Sequence, residues 1–107
     1  MSGLTSLITR LKADGSLVFV TGDFNVSYRR DRVVKASLFP YVRLGAVGVS
    51  ASYAALGEPA RGTHGDRLID YVSYLRHDAV TPVSQRVLRG YHSDHRPLVV
   101  TFQLAGR

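Results

Sequence analysis

Three small groups of polar residues in this sequence have types and spacing that suit phosphate chemistry. Asp23 and Asn25 follow one apolar run, Asp70 lies within a second, and Asp94 and His95 come shortly before a third. Carboxylate oxygens bind Mg²⁺, and a histidine kept protonated by a carboxylate can donate to a phosphate oxygen. Together these residues favour a site that meets a phosphate and a cation.

Each of these residues suits a distinct role. Asp23 could orient water or take its proton as a general base, and Asn25 could donate to a phosphoryl oxygen. Asp70 is a candidate for the carboxylate that holds His95, and Asp94 could bind Mg²⁺. An Asp-x-Asn sequence alone is usually a turn and an Asp-His pair is more often a surface cap, so the combination carries the prediction. The remaining histidines, to which we assign no role, are His64, His77 and His92.

Apolar strands are expected to position these groups. The unbroken run at residues 17–20, followed by Thr-Gly, predicts a strand buried on both faces, with Gly22 allowing a sharp turn. Asp23 and Asn25 would then project from a rigid rim, and Phe24 would point away as an anchor. Residues 68–75 predict a second strand with Asp70 in its middle, where a buried carboxylate needs a partner; a surface-facing Asp on an edge strand is the alternative.

The other segments complete one α+β domain over residues 1–107. Spacing predicts helices at 4–12, ended by Gly15, and at 31–38. Residues 41–66 read mostly as loop, with one short element near 42–44. Strands are expected at 83–88, with Pro82 at an edge or bulge, and at 98–104, with inward residues Leu98, Val100, Phe102 and Leu104.

The composition limits the function classes. The 107 residues carry 14 Lys+Arg against 8 Asp+Glu and no cysteine, for a formal charge of +6. Disulfides and thiolate metal sites are excluded, and no apolar run approaches the ~20 residues of a membrane span. We therefore expect an intracellular (cytoplasmic) protein without membrane partners. The arginine excess suits an anionic substrate, and a high-GC genome is an equally good explanation.

Three motifs in order resemble the C-terminal half of the endonuclease/exonuclease/phosphatase family, which includes deoxyribonuclease I, abasic-site endonucleases, sphingomyelinases and inositol polyphosphate phosphatases. The resemblance spans roughly residues 7–104. The motifs are Gly22-Asp23-Phe24-Asn25, Arg67-Leu68-Ile69-Asp70-Tyr71-Val72 and Ser93-Asp94-His95-Arg96-Pro97-Leu98.

The resemblance implies a fold, a reaction and a role for each motif residue. The fold would be half of a four-layer α/β/β/α sandwich: one mostly antiparallel mixed sheet with helices on one face. The reaction would be Mg²⁺- or Mn²⁺-dependent hydrolysis of a phosphate ester. Asp23 would act on the attacking water, Asn25 would contact the scissile phosphate, Asp70 would hold His95, and Asp94 would lie at the metal or the leaving group. The expected metal ligands are Asp23, Asn25 and Asp94.

The chain departs from the family in length and in several catalytic groups. Full-length members pack two sheets face to face. Their first half supplies a glutamate that is the chief metal ligand, an early asparagine, and a further His or Tyr at the phosphate, and nothing in this chain stands in for them. Here the only glutamate is Glu58, in a Gly/Pro-rich loop. A bare sheet face would also expose a large apolar patch. We therefore expect a homodimer or a complementary half-domain as partner.

Two functions are compatible with these residues. The first is a metal-dependent phosphodiesterase, with DNA or RNA as the expected substrate and Asn25, Arg29 and Arg30 as substrate-binding residues; a lipid or inositol phosphate is an alternative. The second is a non-catalytic remnant that binds nucleic acid or a protein. The absent glutamate favours the second, and the retained polar residues favour the first.

Overall fold

The computed structural model describes residues 2–24, 26–29, 40–59, 61–65, 67–88 and 94–105. In these residues it has the α+β fold that the sequence predicts. The helices are α1 (Ser2–Ala13), α2 (Tyr41–Ala46) and α3 (Ser52–Leu56). The strands are β1 (Phe19–Asp23), β2 (Val49–Ala51), β3 (Asp70–Leu75), β4 (Val80–Val87) and β5 (Leu98–Leu104).

The described strands form two antiparallel sheets, where a single mixed sheet was expected. One sheet has the order β1-β3-β2, and the other pairs β4 with β5. Every strand pairing in the described residues is antiparallel. The two sheets meet where Phe102 of β5 packs against Phe19 and Tyr74, with ring centroids 5.0 and 5.4 Å away.

Helix α1 ends as the sequence predicts. Gly15 adopts a φ of 75°, which glycine tolerates without steric cost. Its N–H donates to the carbonyl of Lys12, and the N–H of Ser16 donates to the carbonyl of Leu11. These two bonds form a Schellman motif, which satisfies carbonyls that the helix end would otherwise leave unpaired.

Strand β1 differs from the prediction of a strand buried on both faces. It starts at Phe19, runs through Gly22 to Asp23 and has β3 as its partner. Side chains alternate between the faces of a strand, so Val20 points towards the helices while Phe19 lies on the opposite face. That second face has little cover among the described residues, and Phe19 is 42% exposed. Because β1 continues through Gly22 to Asp23, the sharp turn expected at Gly22 is not present.

Strand β3 is the central strand of the first sheet, and it is shorter than predicted. Leu68 and Ile69 are buried but precede it, so Asp70 opens the strand at the sheet rim. The prediction that put Asp70 in the strand's middle is wrong by two residues.

The core consists of two clusters that share a boundary. One surrounds Ile8 and Leu44 between α1, α2 and the sheet, and the other surrounds Tyr53 and Tyr71. Phe24 packs against both clusters, which confirms its predicted role as an anchor.

Residues 41–66 contain more regular structure than the glycines suggested. The element expected near 42–44 is α2, and β2 and α3 follow it. Gly48 and Gly57 mark ends of elements, with φ of 94° and 86°. At Gly48 an added Cβ would also lie 3.3 Å from the Leu75 side chain, so both the positive φ and the close neighbour favour glycine at this position.

The second sheet contains both predicted strands, but β4 begins at Val80, three residues before the predicted start, and ends at Val87. Strand β5 has the predicted bounds, and the register of β4 shifts between Pro82 and Ser84, confirming the expected bulge. Leu104 is 53% exposed, so its predicted inward position is wrong. The helix expected at 31–38 lies outside the described residues. None of the helices in the described segments is both long and apolar enough to cross a membrane.

Candidate active site

The rim of the first sheet brings two carboxylates together. Asp23 ends β1, Asp70 begins β3, and the two residues are direct cross-strand partners. Partners in an antiparallel pair project their side chains from the same face, and like charges placed in this way repel. This arrangement therefore favours a cation between or beside the two carboxylates.

His95 supplies a group that can carry that positive charge. Its Nδ1 lies 2.6 Å from Oδ2 of Asp70, and its Nε2 lies 3.8 Å from Oδ2 of Asp23. A carboxylate only accepts hydrogen bonds, so Nδ1–H is the donor to Asp70 and Nε2 faces Asp23. The predicted Asp70–His95 pair is thus present.

The surroundings of His95 raise its pKa above the ordinary histidine value. The hydrogen bond to Asp70 is the main cause. Desolvation opposes it, and the charges of Asp70, Asp23 and Asp94 each raise the pKa by a smaller amount. The side chain remains 38% exposed, so a substrate can reach it. A protonated imidazole at this rim is suited to contacting an anion.

Tyr53 supports Asp70 from the core side. The fully buried tyrosine donates its hydroxyl to the backbone carbonyl of Asp70. Burial, with a smaller contribution from the Asp70 charge, raises the pKa of Tyr53 and keeps it a neutral donor. This bond fixes the first residue of β3.

An open cleft of about 440 Å³ joins these groups. One wall comes from the ends of β1 and β3, and the other from the segment that leads into β5. The cleft is wide enough for a phosphate ester and is lined by Thr21, Gly22, Asp23, Asp70, Tyr71, Val72, His95, Arg96, Pro97 and Leu98.

The same residues could hold a metal ion. One ligand atom from each of Asp23, Asp70 and His95 lies within 4.8 Å of the others. This set shares only Asp23 with the ligands predicted from sequence. Asp94 is exposed and adds negative charge near His95, and Asn25 lies outside the described residues. Mg²⁺ favours oxygen ligands, whereas Mn²⁺ and Zn²⁺ also accept imidazole.

The arginines expected to bind substrate are only partly described. Arg29 donates to the carbonyl of Pro59. Its positive charge lies close enough to Tyr53 to oppose, in small part, the rise in the pKa of that tyrosine. Arg30 lies outside the described residues.

Sequence reasoning overlooked a second histidine at this site. The ring of His64 lies against that of His95, with centroids 4.9 Å apart. It belongs to a glycine-rich segment and to none of the three motifs, so the sequence gave no signal of this contact.

The comparisons with known proteins give no further guidance. A scan against protein-family models found no match, and searches of curated proteins and of solved structures found none either. The resemblance to the endonuclease/exonuclease/phosphatase family therefore depends on the three motifs alone.

Proposed function

We propose that this chain is a metal-dependent phosphoesterase whose substrates are DNA or RNA phosphodiesters. One observation carries the proposal: His95 lies between two cross-strand carboxylates, at 2.6 and 3.8 Å, in an open cleft. This arrangement offers an acceptor for a water proton beside a donor for a phosphoryl oxygen.

The charge of each residue determines its role in the proposed reaction. Asp23 orients the attacking water and accepts its proton, since its carboxylate is exposed at the rim. Asp70 holds the His95 ring with Nδ1 as donor, leaving Nε2–H of the protonated ring to face a phosphoryl oxygen. A divalent cation held by the carboxylates of Asp23 and Asp70 would offset charge on the phosphoryl oxygens.

The charge of the chain supports a nucleic-acid substrate. The excess of Lys+Arg over Asp+Glu gives a formal charge of +6. Most of the basic residues are arginines, whose planar guanidinium group matches the geometry of a phosphate. A lipid or inositol phosphate would offer the same ester and is the alternative substrate.

The proposal includes a partner, either a second copy or a complementary half-domain. The first sheet is covered by α1 and α2 on one face, while Phe19 on the other face remains 42% exposed. A facing sheet would complete a four-layer sandwich. A half-domain of different sequence could also bring the glutamate that the site lacks, whereas the only glutamate of a second copy is Glu58, in the loop after α3.

A non-catalytic nucleic-acid- or protein-binding remnant is the second candidate. The absence of a glutamate from the three motifs favours it. The placement of Asp23 directly opposite Asp70 argues against it, because a binding module has no need to bring two like charges together.

Cleavage assays separate the two candidates. Plasmid DNA and a chromogenic phosphodiester are incubated with the protein in Mg²⁺, in Mn²⁺ and in chelator. We expect metal-dependent cleavage that falls about 100-fold or more in His95→Ala and in Asp23→Ala. His77→Ala and Asp78→Ala, at the other end of β3, are matched controls and should keep full activity. Equal activity in all four variants would refute the proposed site, and DNA binding without cleavage would favour the second candidate.

A further inference from the structure

Thr63 is a polar side chain that the proposed chemistry does not use, yet it is fully buried. It lies in the segment between α3 and β3, where sequence analysis predicted only loop. Buried hydroxyls are seldom retained without hydrogen-bond partners, so its contacts indicate what it does.

Those contacts join the two segments that carry the site. Oγ1 of Thr63 accepts from the backbone N–H groups of Ile69 and Asp70, at 3.2 and 3.3 Å. The backbone carbonyl of Thr63 accepts from the N–H of Arg96 at 2.6 Å. One residue therefore binds the start of β3 with its side chain and the residue after His95 with its main chain.

Arg96 reinforces this link from the other side. Its guanidinium donates to the carbonyls of Gly62 and Gly65, at 2.8 and 2.9 Å. The turn between them is thus held against the His95 segment, and it carries His64 into contact with the His95 ring.

No strand ladder in the described residues connects the segment of Asp70 to the segment of His95. Asp70 belongs to the first sheet and β5, which His95 precedes, belongs to the second. The distance between the Asp70 carboxylate and the His95 ring must therefore be set by contacts outside the ladders.

We propose that Thr63 is a positioning residue that sets the Asp70–His95 distance, with Arg96 as its second attachment. The structural part stands without any enzymatic activity, and the kinetic part rests on the proposed phosphoesterase function. Thr63 touches neither carboxylate nor imidazole and acts only through the two backbones it holds.

Ring-nitrogen NMR tests the structural part. Long-range ¹H–¹⁵N spectra of the metal-free protein, at a pH where the His95 ring is neutral, report which nitrogen carries the proton. We expect wild type and Thr63→Ser to show His95 with its proton on Nδ1, because both keep the hydroxyl. Thr63→Val has nearly the same shape without the acceptor and should show a mixture of tautomers. A folded Thr63→Val protein with the wild-type His95 signals would overturn the proposal.

Arg96→Met covers the case in which Thr63→Val does not fold. It removes the bonds to Gly62 and Gly65 but keeps the backbone bond to Thr63. We expect a partial shift towards mixed tautomers, with no change in the His77 signals, which serve as the internal control. Unchanged His95 signals in this variant would also count against the proposal.

Kinetics test the functional part. If the protein hydrolyses phosphodiesters, kcat should fall about 10- to 100-fold in Thr63→Val with little change in KM, and Thr63→Ser should restore it. An unchanged kcat in a variant with altered His95 tautomers would reject the kinetic part alone. Absence of activity in the wild type would reject the proposed function and leave the NMR result standing.

Discussion

At the scale of single residues, the protonation of His95 is the property most open to measurement. Its pKa is raised chiefly by the hydrogen bond to Asp70 and further by the charges of Asp70, Asp23 and Asp94. A group whose pKa is higher in the folded state stabilises the fold fully below its unfolded pKa of about 6.5. That stabilisation is lost as the pH rises through the raised, folded value.

The corresponding experiment is an NMR titration of His95. We expect a midpoint above about 6.5 in the wild type and a lower midpoint in Asp70→Asn, because the amide cannot replace the charged acceptor. Asp78→Asn, with its exposed side chain at the far end of β3, should leave the midpoint in place. An Asp70→Asn protein that titrates like the wild type would show that Asp70 does not hold the ring.

Asp23 is the cross-strand partner of Asp70, so repulsion between the two carboxylates should lower the free energy of unfolding, although the proposed reaction needs Asp23. At alkaline pH His95 is neutral and no longer offsets the pair. Asp23→Asn should then raise the free energy of unfolding by about 0.5 kcal/mol, the size of a cross-strand charge effect, and should abolish cleavage. Denaturant titration at neutral and alkaline pH checks the first part. A loss of stability at alkaline pH would show that the two charges do not repel each other significantly.

At the scale of elements, the capping role of Gly15 at the end of α1 can be tested by comparing it with Gly3 of the same helix. Gly15 has a φ of 75° and caps the helix, whereas Gly3 lies inside α1 with open space around it. Gly15→Ala should lower the free energy of unfolding by about 1 kcal/mol, since Cβ is strained in this conformation. Gly3→Ala should be neutral or raise it by up to about 1 kcal/mol. Thermal or urea unfolding measures both, and equal effects would contradict the capping role.

The sequence predicts well those elements whose signals are local. α1 ends where Gly15 predicts, and β5 has the bounds that its alternation predicts. Burial of β1 on both faces is wrong because four apolar residues look alike whether one face or both faces of a strand are covered. Cover of the second face depends on residues far along the chain, such as Phe102, which packs on Phe19 but leaves it 42% exposed.

The candidate site was predictable only where its residues carry charge. Asp70 drew attention as a carboxylate among apolar residues, and its partner His95 is confirmed. Thr63 and His64 gave no such signal, because a threonine and a histidine near glycines are ordinary loop residues. Their contacts depend on the path of the 57–69 segment, which no short pattern encodes.

At the scale of the whole molecule, the unequal cover of the first sheet is the main feature. One face packs on α1 and α2, and the other carries the site at its rim and Phe19 beyond it. Among the described residues, Phe102 covers Phe19 in part, and Phe19 stays 42% exposed. A partner sheet would cover this exposed apolar surface beside the proposed site.

Self-association follows as a prediction if a second copy is that partner. Size exclusion with light scattering should give a dimer for the wild type and a monomer for Phe19→Lys, because a lysine on the covered face would lose its hydration on pairing. Leu7→Lys replaces a residue of similar exposure, 44%, on α1, away from that face, and should remain dimeric. A wild-type protein that stays monomeric at high concentration would exclude the homodimer, and a complementary half-domain would then be the only partner left in the proposal.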